Sequence, residues 1–204
     1  AGAERRGGAL WRPPGRTLTG PGAAARGRGT AAPACGTGGA AMTPPYELGI
    51  VGLGRMGGGL ASQAARRGVR VVGLDPDGVP APLRRRGVRE ASSAVALRDM
   101  LSPPRAVLVY VPAGRVVDEV LDDLTRALEP GDVVADGGTS YWGDSRRRHD
   151  RLAERGLAFV DVGTSGGIEG AERGACFMVG GETQAVARLA PLLRVLSVEG
   201  GTVH

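Results

Sequence analysis

Short, nearly continuous apolar runs alternate with amphipathic stretches from residue 46 to the end of the chain. Runs such as Tyr46–Val51 and Arg105–Val111 are typical of strands that are buried on both faces. Over Arg115–Leu128, apolar residues recur every three or four positions and acidic residues occupy the opposite face, which predicts a helix. The predicted strands are Tyr46–Val51, Val69–Leu74, Arg105–Val111, Asp132–Ala135, Ala158–Val162 and Phe177–Val179, and the predicted helices are Arg55–Arg67, Asp77–Arg86, Ser93–Leu101, Arg115–Leu128, Asp144–Arg155 and Thr183–Leu193. This alternation indicates an open, parallel α/β sheet.

The first 42 residues have a different character. They include 11 glycines, 11 alanines and four prolines without an apolar period, so we expect a disordered leader over 1–42, dispensable for folding, and a folded domain over 43–204. The leader lacks the continuous apolar segment of a secretory signal. It is rich in arginine and poor in acidic residues, as a transit peptide is, but it contains no serine. The interpretation we favour is that Met42 opens the true reading frame.

The net positive charge belongs to this leader. The chain has 26 basic residues, all arginine, and 21 acidic ones; six arginines and one glutamate precede residue 43, so the remainder is neutral in sum. Six scattered arginines make a weak case for a nucleic-acid-binding arm, and an aromatic content of 3% argues against a base-stacking surface. No apolar run approaches the roughly 18 residues that span a bilayer. We therefore expect no nucleic-acid partner and no membrane partner.

Cysteine and histidine are scarce. Cys35 and Cys176 lie far apart, and the only histidines are His149 and His204, so neither a disulfide framework nor a metal site is indicated. Cys176 precedes an apolar strand, and we expect it to be a small buried residue rather than a nucleophile. His149 follows three arginines at 146–148, a pattern typical of a solvated helix face.

A glycine motif joins the first predicted strand to the first predicted helix. It reads Gly52-Leu53-Gly54-Arg55-Met56-Gly57. In a dinucleotide-binding turn, Gly52 would permit the tight turn, Gly54 would let the backbone approach a pyrophosphate, and Gly57 would let the helix pack closely on the strand. The alternative is a plain strand-to-helix turn that uses glycine for its geometry. The strand–turn–helix context favours a phosphate at the helix N-terminus.

Asp75 ends the second predicted strand, 18 residues after Gly57. A carboxylate there can accept hydrogen bonds from both ribose hydroxyls of NAD and would repel the 2′-phosphate of NADP. The alternative is an ordinary turn residue before Pro76. An NADP site would need a nearby arginine, and those at 84–86 are predicted to lie on the solvated face of the next helix.

Small residues follow three later predicted strands. The segments are Val111-Pro112-Ala113-Gly114, Asp136-Gly137-Gly138-Thr139-Ser140 and Gly163-Thr164-Ser165-Gly166-Gly167. Ligands bind beyond the carboxyl ends of strands in such sheets, so these segments fit a cofactor trough, although each is also ordinary turn chemistry. The third could offer backbone N–H groups and the Ser165 hydroxyl to an anion, or form a flexible turn.

Taken together, these segments resemble the N-terminal, NAD(P)-binding domain of the 6-phosphogluconate dehydrogenase family, within the β-hydroxyacid dehydrogenases. The resemblance covers about residues 46–204 and rests on GLGRMG at 52–57, VPAG at 111–114, DGGTSYWGDS at 136–145 and GTSGGIEGAERGACFMVGG at 163–181. The last two are the specific ones, because hydroxyisobutyrate-type relatives usually lack them. The resemblance implies a Rossmann-type doubly wound, mainly parallel sheet, a cytoplasmic location, and a homo-oligomer formed through a helical domain beyond this sequence.

The resemblance also implies a reaction and a set of site residues. The family oxidises the 3-hydroxyl of 6-phosphogluconate by hydride transfer to a nicotinamide cofactor, and loss of carbon dioxide then gives ribulose 5-phosphate of the pentose phosphate pathway. Asp75 looks like the NAD branch, so we expect NAD rather than NADP. By resemblance the cofactor would contact Gly52, Leu53, Gly54, Arg55, Met56, Gly57, Asp75, Val111, Pro112, Ala113 and Thr139, and the substrate would contact Thr139, Ser165, Gly166 and Gly167.

The sequence departs from the family pattern in two respects. Thr139 stands where the family usually has an asparagine that touches both cofactor and substrate. The family's lysine base and glutamate acid would follow beyond this sequence, which contains no lysine. We therefore expect a cofactor-binding half, from a fragment, a truncated product or a degenerate copy, that does not turn over substrate. The alternatives are a non-catalytic nucleotide-binding module and another dehydrogenase of the 3-hydroxyisobutyrate type.

Overall fold

An eight-stranded sheet organises residues 46–204, the part of the chain that the computed structural model describes. The strands are β1 Glu47–Val51, β2 Arg70–Leu74, β3 Arg89–Glu90, β4 Ala106–Val109, β5 Val133–Asp136, β6 Ala158–Ser165, β7 Ala175–Gly181 and β8 Ser197–Val203. The helices are α1 Arg55–Arg66, α2 Ala81–Arg85, α3 Ala94–Asp99, α4 Arg115–Ala127, α5 Trp142–Ala153, α6 Gly167–Arg173 and α7 Thr183–Leu196. The expectations for the leader fall on residues outside the described range.

The spatial order of the strands is β3-β2-β1-β4-β5-β6-β7-β8. All neighbouring strands run parallel except β6 and β7, which are antiparallel. The order reverses direction at β1, with β2 on one side and β4 on the other, which is the topological switch point where doubly wound sheets bind ligands. The predicted doubly wound, mainly parallel sheet is confirmed.

Helices cover both faces of the sheet. Helices α1, α2, α6 and α7 pack on one face around Leu60 and Leu189, and α3, α4 and α5 pack on the other around Leu121 and Leu152. All four leucines are fully buried. Strands covered on both faces explain the nearly continuous apolar runs in the sequence. No helix of residues 46–204 is long and apolar enough to cross a bilayer.

Three elements lie where no regular structure was predicted. They are β3, α6 and β8, and they have few apolar residues: Arg89–Glu90 is a two-residue edge strand, and α6 occupies what was predicted as a glycine-rich loop. Tertiary pairing stabilises them, because β8 adds to the edge of β7 and α6 packs on α1, where Gly59 brings the helix backbone against Ala171. The local amino-acid composition of these segments therefore gives little indication that they form regular structure.

The predicted burial of Cys176 was wrong. Along β7 the residues Ala175, Phe177 and Val179 are buried, and the alternate residues Cys176 and Met178 are exposed. The period of two along a strand places the cysteine on the uncovered face.

Candidate functional site

The glycine turn after β1 has the geometry that was expected of it. Gly52 has a φ of 87°, which a side-chain-bearing residue rarely adopts, and a Cβ there would overlap the Tyr110 carbonyl oxygen. A Cβ on Gly57 would overlap the Gly52 carbonyl oxygen, so helix α1 approaches the strand too closely for any side chain. A Cβ on Gly54 would meet no atom within 4 Å. Gly52 and Gly57 are therefore required by the fold, whereas Gly54 faces open space.

The carboxylate of Asp75 supports this turn. Its Oδ2 accepts a hydrogen bond from the Leu53 backbone N–H at 2.7 Å, and its Oδ1 accepts one from the Asp77 N–H at 3.0 Å. Asp75 thus joins the end of β2 to the glycine turn after β1, and it is only partly buried. Asp75 therefore does act as a turn residue, as the alternative interpretation of the sequence expects. Each of its carboxylate oxygens still has a lone pair that can accept a hydrogen bond from a further donor.

Tyr110 lies under the centre of the site at the end of β4. A Cβ on Gly137 would overlap its ring, and its hydroxyl lies 2.7 Å from Thr164 Oγ1. Burial raises the pKa of Tyr110 to about 12, so the phenol stays protonated at neutral pH and can donate to Thr164. Tyr110 connects the ends of β4, β5 and β6 directly before the Val111-Pro112-Ala113 segment. The sequence alone indicates no more than a strand residue at this position.

Thr139 lies in a tight turn after β5. Its φ is 59°, and within residues 46–204 it is the only non-glycine residue with a positive φ. The Asp136 carboxylate brackets this turn, because Oδ1 accepts the Gly138 N–H at 2.9 Å and Oδ2 accepts the Ser140 hydroxyl at 2.6 Å. Thr139 itself is exposed.

Arg148, which the sequence predicted to lie on a solvated face, is fully buried. Its Nε donates to Asp118 Oδ1 at 2.9 Å, and one terminal nitrogen donates to Ser140 Oγ at 2.8 Å and to Asp136 Oδ2 at 3.2 Å. Its other terminal nitrogen donates to the Gly114 carbonyl at 3.1 Å. Burial alone would raise the pKa of Asp118, but hydrogen bonds from Arg148 and Arg147 lower it overall. The helical period carried the missed signal, because Ser145, Arg148 and Leu152 form the buried stripe of α5.

The Ser165-Gly166-Gly167 segment lies where β6 meets α6 and is exposed. It is not a free loop, because β6 extends through Ser165 and α6 begins at Gly167. Gly166 caps the helix in the left-handed conformation with a φ of 111°. The Ser165 hydroxyl and the backbone of Gly166 and Gly167 therefore lie at the same edge of the sheet as the other predicted residues.

A cavity of about 460 Å³ opens beside Thr139 and Ser140. Asp161 and Met178 also line it, and Asp161 lies next to Asp136 in the register of β5 and β6. Burial, together with the nearby Asp136 carboxylate, raises the pKa of Asp161 above its ordinary value. A perturbed carboxylate in a cleft is typical of functional sites.

The structure brings all fourteen predicted residues to one edge of the sheet. They lie at or directly after the carboxyl ends of β1, β2, β4, β5 and β6, which are adjacent and parallel. Tyr110, Asp136 and Arg148 support this edge from below. The sequence places Asp136 in the predicted trough segment at the end of β5 but indicates no role in the site for Tyr110 or Arg148.

Comparisons with known proteins agree with this architecture. The family model for the NAD binding domain of 6-phosphogluconate dehydrogenase matches residues 47–201. An NAD-dependent, decarboxylating 6-phosphogluconate dehydrogenase of Haloferax volcanii is 40% identical over 147 residues, covering 72% of this chain and 48% of the relative. A Bacillus subtilis enzyme of the same name is 35% identical over 160 residues, covering 76% of this chain and 34% of the relative. The chain thus spans about a third to a half of the length of its curated relatives.

Solved structures show the same fold in two kinds of enzyme. Plasmodium falciparum 6-phosphogluconate dehydrogenase superposes with a TM-score of 0.71 at 26% identity, covering 78% of this chain and 36% of that one. Mycobacterium tuberculosis 3-hydroxyisobutyrate dehydrogenase superposes with a TM-score of 0.69 at 28% identity, covering 78% of this chain and 54% of that one. Because the family model spans nearly the whole described range, the chain belongs to the family of NAD-binding domains of 6-phosphogluconate dehydrogenases.

Proposed function

We propose that this chain is the cofactor-binding half of an NAD-dependent, decarboxylating 6-phosphogluconate dehydrogenase. The observation that carries the proposal is the contrast within the glycine turn. Gly52 and Gly57 are explained by protein contacts, whereas a side chain at Gly54 would enter open space at the N-terminus of α1. A glycine that the fold does not require, at a helix N-terminus, fits a pyrophosphate that must approach the backbone.

The preference for NAD over NADP is supported by the charges around Asp75. Glu90 approaches Gly78 in the turn that follows Asp75, and its carboxylate pairs with Arg84 at 3.0 Å. Arg84 is therefore paired with a carboxylate, and Asp75 and Glu90 both place negative charge near the expected position of the ribose. A 2′-phosphate would meet like charge there, whereas two ribose hydroxyls would find acceptors.

The substrate is 6-phosphogluconate. A bound dinucleotide would supply the hydride acceptor for C3 of the substrate, and a base would take the proton of the C3 hydroxyl. The 3-keto acid would then lose carbon dioxide and take up a proton at the former C2 to give ribulose 5-phosphate. In this chain Ser165, Gly166 and Gly167 offer a hydroxyl and backbone N–H groups to the substrate, and Thr139 offers a hydroxyl between substrate and cofactor. We propose a cytoplasmic location and a homo-oligomer of the whole protein, as the resemblance implies.

The 204-residue chain by itself is expected to bind without turning over substrate. A positioned general base contributes roughly 10²–10⁴-fold in rate. The family resemblance assigns that role to a lysine, and this sequence contains none. Sustained NADH production that is abolished by Ser165→Ala would refute this expectation and would reveal another base.

Calorimetric titration of NAD and NADP into the chain tests the cofactor assignment. We expect tighter binding of NAD, and we expect Asp75→Asn to remove most of the preference because it removes the negative charge at the 2′ position. The matched control is Asp99→Asn, an exposed carboxylate at the end of α3. Tighter binding of NADP by the unmodified chain would contradict the proposal.

A 3-hydroxyisobutyrate-type dehydrogenase is the second candidate. It is favoured by the superposition on 3-hydroxyisobutyrate dehydrogenase. Thermal shift of the NAD-loaded chain separates the two, because 6-phosphogluconate should raise the melting temperature and 3-hydroxyisobutyrate should not. A melting temperature that neither compound changes would favour a non-catalytic nucleotide-binding module.

A further inference from the structure

Thr139 occupies a backbone conformation that its own side chain opposes. A φ of 59° is uncommon for any non-glycine residue, and for a β-branched residue it is a genuine outlier. Such conformations persist only where the surrounding structure imposes them, and they cluster at functional sites. Thr139 is exposed at the mouth of the cavity, so no packing of its own side chain accounts for the conformation.

The conformation is restrained by Asp136, which accepts hydrogen bonds from the residues on both sides of Thr139. One carboxylate oxygen accepts the Gly138 N–H and the other accepts the Ser140 hydroxyl, at 2.9 and 2.6 Å. Asp136 is itself fully buried, so its charge needs a partner. That partner is Arg148, at 3.2 Å from Oδ2.

Arg148 also reaches the segment that follows β4. It donates to the Gly114 carbonyl, directly after Val111-Pro112-Ala113, and to Asp118 in the first turn of α4. The planar guanidinium holds its donors in a fixed fork, so these bonds fix the post-β4 segment and the Thr139 turn relative to each other. A lysine could not reproduce this, because it carries a single point charge.

We propose that Arg148 is a positioning residue that aligns the two loops bordering the nicotinamide half of the bound dinucleotide. This inference rests on the proposed function. With the adenosine ribose at Asp75 after β2 and the pyrophosphate at the glycine turn after β1, the rest of the dinucleotide extends towards β4 and β5. The loops at that end are the two that Arg148 joins. Its substitution should therefore weaken the binding of that half and spare the adenosine half.

The test compares two ligands and two matched variants of the 204-residue chain. NAD engages both halves of the site, whereas ADP engages only the half built by Asp75 and the glycine turn. Arg148→Lys should lower NAD affinity about tenfold and leave ADP affinity within twofold of the unmodified chain, both measured by calorimetry. Arg146→Lys, the same change at an exposed position of the same helix, should alter neither.

A role confined to stability predicts a different result. Arg148→Lys would then lower the melting temperature and either leave both affinities unchanged or reduce both together, and either result overturns the inference. If Arg148→Lys does not fold, Ser140→Ala decides, because it removes two hydrogen bonds of the network, to Asp136 and from Arg148, at a half-exposed position. Ser140→Ala should lower the affinity for NAD about threefold and leave the affinity for ADP unchanged. An affinity for NAD equal to that of the unmodified chain would overturn the inference. Failure of the unmodified chain to bind NAD would instead refute the proposed function.

Discussion

Substitution of Gly54 by alanine separates the demands of the fold from those of the ligand. Gly54 has a φ of −63°, which alanine adopts readily, and a Cβ would meet no atom within 4 Å. The same change at Gly57 places the Cβ on the Gly52 carbonyl oxygen, which is backbone and cannot move aside cheaply. The same substitution should therefore have different consequences at the two positions. At Gly57 it should disrupt the fold, whereas at Gly54 it should affect only ligand binding.

The expected effect of Gly54→Ala on stability is small because two contributions oppose each other. Replacing glycine where its conformation is permitted stabilises by about 0.4–1 kcal/mol through the unfolded chain. Gly54 is also the N-cap of α1, where alanine is less favourable than glycine by up to about 1 kcal/mol. The net change should stay within about 1 kcal/mol, or roughly 2–4 °C in melting temperature for a domain of this size.

The effect on ligand binding should be large. The added methyl group occupies the space through which a pyrophosphate approaches the N–H groups of α1, so NAD affinity should fall at least tenfold while the melting temperature holds. Gly57→Ala should lower both. Calorimetry and thermal melting of the two variants decide. Unchanged NAD binding by Gly54→Ala would show that the open space is not a ligand site.

Three further changes test the support of the site. Asp161→Asn should raise the melting temperature at pH 7, because the raised pKa of Asp161 means that its negative charge destabilises the folded state. The gain should vanish as the pH falls below about 3.9, where the carboxyl is protonated in both the folded and the unfolded state. A gain that persists at pH 3 would contradict this. Thr139→Asn should stabilise the fold in urea by about 1 kcal/mol, because asparagine tolerates a positive φ, and a loss would argue against strain. Tyr110→Phe should destabilise it by about 1 kcal/mol by leaving the half-buried Thr164 hydroxyl without its partner, whereas no change in the urea midpoint would make that hydrogen bond unimportant.

The parts of the fold that could be predicted are those in which local pattern and tertiary role coincide. The apolar strands and the amphipathic helices met this condition, and so did the turn from Gly52 to Gly57, whose glycines act through the backbone. Helix α6 did not, because Gly167–Arg173 has little apolar surface and depends on the close approach of α1 at Gly59. Information of that kind lies in a contact between distant segments.

Arg148 shows a second limit of sequence reasoning. Three consecutive arginines suggest solvent, and two of them are exposed, but the third falls on the buried stripe of α5. A buried arginine is acceptable only where carboxylates meet it, and Asp118 and Asp136 lie 30 and 12 residues away. Periodicity could have placed the side chain inward, but nothing local could have identified its partners.

The two limits have a common origin in how this edge of the sheet is built. Most of the residues that would touch a dinucleotide lie in short segments rich in glycine and other small residues, so the sequence reveals them as motifs. The residues that fix their geometry, Tyr110, Asp136 and Arg148, have polar side chains and act from beneath through hydrogen bonds to neighbouring strands, loops and helices. Replacing a motif glycine by a larger residue fills the space that the ligand would occupy. Replacing one of the three supporting residues leaves that space open but shifts the loops that border it. Affinity for the whole cofactor relative to a fragment of it is therefore the quantity that distinguishes the two kinds of residue.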